Sequence, residues 1–154
     1  DDILCSPAAL RAVFEAVRAG AERAVTTNLP LGMNASAYSV AALEGALSST
    51  GGAVIDVGWS RIFDEARTKK LEPAYQAPAA GFAELRYTLD YPEDYEFFKA
   101  VIERMGNSLW DASDEQIVDF TQKNGIDQLN RNRVEMYWRN FHQKMQEERA
   151  SQGN

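Results

Sequence analysis

The chain has 154 residues, a hydrophobic share of 45%, a charged share of 25% and a formal net charge of −7. That is enough for a globular domain with a real core, and no Lys/Arg patch interleaved with aromatics offsets the acidity, which disfavours nucleic-acid binding. No apolar run approaches the ~20 residues of a membrane span, no signal peptide is visible, and the single cysteine, Cys5, excludes an internal disulfide and a Cys/His zinc cluster; a cytoplasmic location is the expectation.

The chain opens on Asp1 and Asp2 with no methionine ahead of them, which suggests a fragment or a processed form. Ser6 is a good N-cap and Pro7 a good first helical residue. Leu10, Val13, Phe14 and Val17 then give one helical stripe, and Gly20 is a stop. By charge alone Asp1 and Asp2 are either two exposed acids or part of a metal site. Residues 23–28 read as a short strand, residues 29–34 as a loop containing Pro30 and Gly32, and residues 34–38 as another strand. Ser39 caps a helix to about residue 48, with Val40, Leu43 and Leu47 on one face, ended by Gly51 and Gly52. Residues 53–57 read as a strand. Trp59, Ile62, Phe63 and Ala66 read as a short helical face, with Trp59 a core or interface residue. Residues 67–70 read as a solvated charge run and residues 77–81 as a loop.

Residues 85–98 are the most informative stretch. Leu85, Tyr87 and Leu89 alternate with Arg86 and Thr88, a period-2 strand. Pro92 suits a first helical position, and Glu93 and Asp94 follow in the first turn, where the helix dipole favours negative charge. Tyr95, Phe98, Ile102 and Met105 form one helical face. Asp90 therefore sits between a strand end and a helix start. It is either a capping residue or a binding residue, since ligands of open α/β sheets gather at the carboxyl ends of strands. After Gly106 and Asn107, Ser113 to Gln116 form a capping box for a helix that buries Ile117, Val118 and Phe120 and ends at Asn124 and Gly125. A last helix spans about residues 127–148, with Val134, Tyr137, Trp138, Phe141 and Met145 as a packing or dimer face. His142 is the only histidine and reads as a surface residue; residues 151–154 read as a disordered tail.

Residues 86–96, Arg-Tyr-Thr-Leu-Asp-Tyr-Pro-Glu-Asp-Tyr-Glu, resemble a late motif of cytidylyltransferases that activate acidic sugars. The spore-coat polysaccharide type is nearest, with the acylneuraminate and deoxy-octulosonate enzymes as cousins. In that family the first aspartate of the motif helps hold the catalytic Mg²⁺, which by resemblance is Asp90. Residues 1–7, Asp-Asp-Ile-Leu-Cys-Ser-Pro, resemble the family's Gly-Asp-x-Pro-Leu-x-x-Pro segment and put Asp1 on its metal position, with Ile3 in place of a proline. Pro30, Gly32, Asn34, Tyr38, Ser39, Ala42 and Leu43 fit a segment that contributes to the sugar pocket and leads to the dimerisation region. Leu31 stands where an arginine is common there, and Ser36 where a glutamate is common. The Arg- and Lys-containing loop with which the family grips the CTP phosphates has no counterpart among the 154 residues.

The resemblance implies the carboxy-terminal part of an α/β, Rossmann-like nucleotidyltransferase with a mixed sheet, incomplete at its N-terminus and followed by a C-terminal helical extension. Residues 1–106 would belong to the α/β domain, residues 107–150 to the extension and residues 151–154 to the tail. It implies Asp1 and Asp90 as Mg²⁺ ligands and Asp2, Gly32 and Asn34 as substrate contacts. The full enzyme would join CTP to a sugar acid as a homodimer in surface polysaccharide synthesis, with no nucleic acid and no membrane involved. The chain alone is expected to be inactive. The alternative is a non-catalytic dimerisation or interaction module.

Overall fold

The computed structural model describes residues 2–52, 55–57, 59–72 and 84–152. Helix α1 (Pro7–Arg18) is followed by strands β1 (Arg23–Thr26) and β2 (Ser36–Tyr38), helix α2 (Val40–Ser49), two 3-10 turns (Trp59–Ile62 and Glu65–Arg67) and strand β3 (Thr68–Leu71). Helices α3 (Pro92–Met105), α4 (Asp114–Lys123) and α5 (Arg133–Gln152) complete the described chain, with 3-10 turns at Gly106–Trp110 and Ile126–Leu129. The architecture is mixed α/β, with a three-stranded sheet in the order β2-β1-β3. β1 runs antiparallel to β2, Ala24 opposite Ala37, and parallel to β3, Ala24 opposite Lys69.

α1 begins where its cap residues require. The Ser6 hydroxyl accepts from the Ala9 amide at 3.0 Å, and Pro7 stands in the first turn. Its buried face, however, is Ala9, Val13 and Ala16, and the larger Leu10 and Phe14 are exposed. Small residues let the helix approach β1 and β2 closely, so the stripe read from size alone is rotated. The same correction applies to α3: the buried residues are Asp94, Phe97, Phe98 and Val101, whereas Tyr95 and Ile102 face outward.

Residues 67–70 are more than a charge run. Thr68–Leu71 is β3, whose Lys69 and Lys70 side chains are exposed while its backbone pairs with β1. Lysines on an edge strand discourage a further strand from pairing there, and they hide its β character in the sequence. Val25 and Thr26 pair with Lys70 and Leu71 across the same ladder. Of the strand read at residues 53–57, Asp56 and Val57 lie in a bend, and Ala53 and Val54 lie outside the described residues, as does the loop read at residues 77–81. Trp59 packs edge-on to Tyr38 and Phe63, which accounts for it as a packing residue.

Residues 107–150 share the core of the rest. Ile117, Val118 and Ile126 belong to one buried cluster with Val13, Ala24, Tyr87 and Phe97, and the Tyr87 hydroxyl hydrogen-bonds to Thr121. The α4 capping box forms as its sequence requires. α5 continues through Gln152, so the expected tail at 151–154 is helical over its first two residues.

The stretch from Leu85 to Thr88 is buried along its whole length rather than on alternate residues. It joins the loop after β1 through a parallel bridge between Leu31 and Arg86, with the Tyr87 amide donating to the Leu31 carbonyl at 2.7 Å. Gly32 makes this approach possible. Its φ is 92°, and a Cβ there would lie 2.3 Å from the Tyr87 carbonyl oxygen. Gly32→Ala should therefore destabilise the fold by about 3 kcal/mol or more, from strain plus a backbone clash. Gly20→Ala, at φ 104° with nothing within 4 Å, should cost only about 1–2 kcal/mol. Urea unfolding of both variants tests the difference; equal midpoints would mean that the loop yields.

Candidate functional site

The site is built on Arg86, whose side chain is fully buried. Its Nε and Nη2 donate to the two carboxylate oxygens of Asp94 at 3.0 Å each, and the Asp94 side chain is equally buried. The guanidinium carbon lies 5.0 Å from the Tyr91 ring centroid and 4.7 Å from that of Tyr137, which comes from α5. Asp94 is the third residue of α3, where its carboxylate reaches back to accept from the amides of Asp90 and Tyr91, both at 3.0 Å. Asn130, in the turn before α5, donates from one amide nitrogen to Asp94 at 2.9 Å and to the Arg86 carbonyl at 3.0 Å. Burial by itself raises the Asp94 pKa; the bonds from Arg86, Asn130 and the two amides outweigh it and hold the carboxyl below the usual range.

Asp90 stands at the surface end of this network. Its Oδ2 accepts from Arg86 Nη2 at 2.5 Å and from the Thr88 hydroxyl at 3.0 Å, while its side chain is 43% exposed. Both bonds fall on one oxygen, which leaves Oδ1 for solvent or a ligand. Asp2 lies near Thr88 and within electrostatic reach of Asp90. Partial burial pushes the Asp2 carboxyl up, the negative charge of Asp90 adds to this, and the Thr88 hydroxyl and Arg86 act the other way. Asp2 and Asp90, 88 positions apart in the chain, thus lie near enough for the charge of one to act on the other. Asp1 lies outside the described residues.

The two carboxylates would suit an open cation site and no closed one. Among the described residues no group of three or more His, Cys, Asp or Glu side chains could hold a metal. Mg²⁺ takes one or two protein carboxylates and completes its shell with water and phosphate oxygens, whereas Ca²⁺ and Zn²⁺ sites need fuller protein sets. The Arg86 charge already lies on Asp90, so the affinity for a bare cation is weak, and a phosphate-bearing complex would bind better.

Gly32 and Asn34 have other work. Gly32 packs against the Tyr87 backbone. The Asn34 amide nitrogen donates to the Leu29 carbonyl at 2.8 Å, its side-chain oxygen accepts from the Thr26 hydroxyl at 3.4 Å, and its backbone oxygen accepts from the Cys5 thiol. Asn34 ties its own loop together instead of presenting a polar group outward. The network also contains Arg86, Asp94 and Tyr137, which the sequence reading gave to a strand, a first helical turn and a packing face, and Asn130, which it did not name. An acidic residue at the third position of a helix was a legible cap signal for Asp94. Nothing local marks Asn130 or Tyr137 as its neighbours. His142, read as a surface residue, is exposed and stacks beside Trp138.

Asp94→Asn should destabilise the chain by about 3 kcal/mol, because it removes the fully buried counter-ion of Arg86 and leaves that charge to the part-exposed Asp90. The pH dependence has a definite sign. A carboxyl whose folded pKa is depressed contributes stability that is fully present above its unfolded value of about 3.9 and is lost as pH falls through the lower folded value. Denaturant midpoints should therefore fall steeply below about pH 4 in the native chain and much less steeply in Asp94→Asn. Parallel profiles would remove Asp94 from the acid transition.

No protein-family model, no curated protein and no solved structure matches the chain, so its function is argued from the geometry around Arg86, Asp90 and Asp2.

Proposed function

We propose that the chain is part of a Rossmann-like nucleotidyltransferase that activates a sugar acid with CTP, and that Asp90, with the aspartates at the start of the chain, forms the Mg²⁺ side of its site. The observation that carries the reading is the electrostatic proximity of Asp2 to Asp90, whose carboxylate Thr88 helps to hold. It supports the motif resemblance because the two stretches that carry acidic residues in the sequence meet in space. When bound, Mg²⁺ would neutralise charge on the α-phosphate and pyrophosphate. The residues of this chain orient that chemistry: Arg86 and Thr88 fix the Asp90 carboxylate on one oxygen, and Asp94 keeps Arg86 charged and in place. Gly32 and Asn34 shape the loop beneath.

The test has two arms. Millimolar Mg²⁺ should raise the melting temperature of the native chain, since a ligand that binds only the folded state stabilises it by mass action, and Asp90→Asn should lose that response. In the natural protein that contains this chain, Asp90→Asn should lower pyrophosphate release from CTP and sugar acids by on the order of 100-fold. Full activity in Asp90→Asn would overturn the assignment.

A dimerising module is the second reading. Tyr137, Trp138 and Phe141 form a contiguous aromatic row on α5, with ring centroids 5.3–6.2 Å apart and Trp138 39% exposed. A homodimer across this row is expected to sediment as one species and to dissociate in Trp138→Glu; a monomer at high concentration rules it out.

A further inference from the structure

We propose that the apolar cleft between the chain start and the connection from α3 to α4 binds a small ligand with a flat apolar body and one protonated amine. The cleft has a volume of about 480 Å³ and is lined by Ile3, Cys5, Ile102, Leu109, Trp110 and Ile117, among others. That size suits a small organic ligand, for which sites run from roughly 300 to 1,000 Å³. Trp110 is 85% exposed, and Ile3 and Ile102 are about half exposed. An indole left this open gives up most of the area it would bury in a core, and its face is free for a partner.

The charge of the lining selects the ligand. Asp114 is its one carboxylate, and neither Lys, Arg nor His contributes to it. Asp114 does not swing freely, because its Oδ2 accepts a hydrogen bond from the Ser6 hydroxyl. The Cys5 thiol senses the same negative field: burial pushes its pKa up, and the charges of Asp2 and Asp114 push it further. An anionic ligand meets repulsion there. A neutral apolar ligand gains only burial. An ammonium group gains the Asp114 carboxylate and the face of the indole as well, an attraction known for cations over tryptophan.

Three probes of nearly one shape test the proposal: phenethylamine, phenethyl alcohol and hydrocinnamate, each titrated into the isotopically labelled chain. Phenethylamine should shift the amide resonances of Leu109 to Ala112 saturably, and bind at least about fivefold tighter than either analogue. Asp114→Asn keeps an acceptor for Ser6 and should erase the preference for the amine. Ile102→Lys, at a half-exposed position that tolerates a polar side chain, places a competing ammonium in the cleft and should weaken phenethylamine binding by a similar factor. Equal binding of the three probes, no saturable shift up to about ten millimolar, or unchanged amine binding in a folded Ile102→Lys would each overturn the assignment.

Discussion

The buried pair between Arg86 and Asp94 is the constraint on which the rest of the structure depends. Taking two charges out of water carries a penalty of several kcal/mol per ion, offset only when the geometry is good and the remaining donors and acceptors are occupied. Here the pairing is two-pronged, and the Asp94 oxygens also take two backbone amides and the Asn130 amide, while Arg86 Nη1 is buried without a hydrogen-bond partner among the described residues. Each of these bonds recruits a different part of the chain. The extended stretch through Arg86, the first turn of α3, the turn at Asn130 and Tyr137 of α5 all converge on one guanidinium. Misplacing any of them would expose a buried charge to an apolar surround.

That arrangement also decides what the surface can do. Arg86 uses one nitrogen on both Asp94 and Asp90, so the cation that stabilises the interior also orients a carboxylate at the surface. The two acids feel opposite environments. Asp94 is surrounded by donors and is held in its charged form, whereas for Asp2 partial burial and the charge of Asp90 outweigh the help of Thr88 and Arg86 and push it toward its neutral form. Perturbed titration of this kind clusters at functional sites, and ion-pair networks produce it as well.

Glycine and small residues do the complementary work of bringing backbones together. Gly32 allows the Leu31 loop to meet the Tyr87 backbone, and Ala9 and Ala16 let α1 lie close to the sheet. The larger apolar residues displaced by this close packing on α1, Leu10 and Phe14, are left at the surface, and on α3 Ile102 is exposed opposite a face of Phe97, Phe98 and Val101. Ile102 then becomes part of the wall of the cleft beside Trp110.

Local sequence alone determined the starts of the helices. Ser6 with Pro7, Ser39, Pro92 with its acids, and the Ser113 box each satisfy orphan backbone groups within a few residues, so their effect does not wait for a tertiary partner. The position of Asp90 between an extended stretch and a helix was legible for the same reason. Tertiary structure decided the phases of α1 and α3, because which face is buried depends on how closely a neighbour approaches and not on side-chain size. It made an edge strand of Thr68–Leu71, whose lysines speak against one until β1 lies beside them. It buried Arg86, which by pattern belonged to the solvent face, because Asp94 and the rings of Tyr91 and Tyr137 close around its charge while Asn130 holds Asp94 in place. And it brought Asp2 to Asp90: helix caps act over three or four residues, but the meeting of two carboxylates 88 positions apart is fixed only when the whole chain has closed around Arg86.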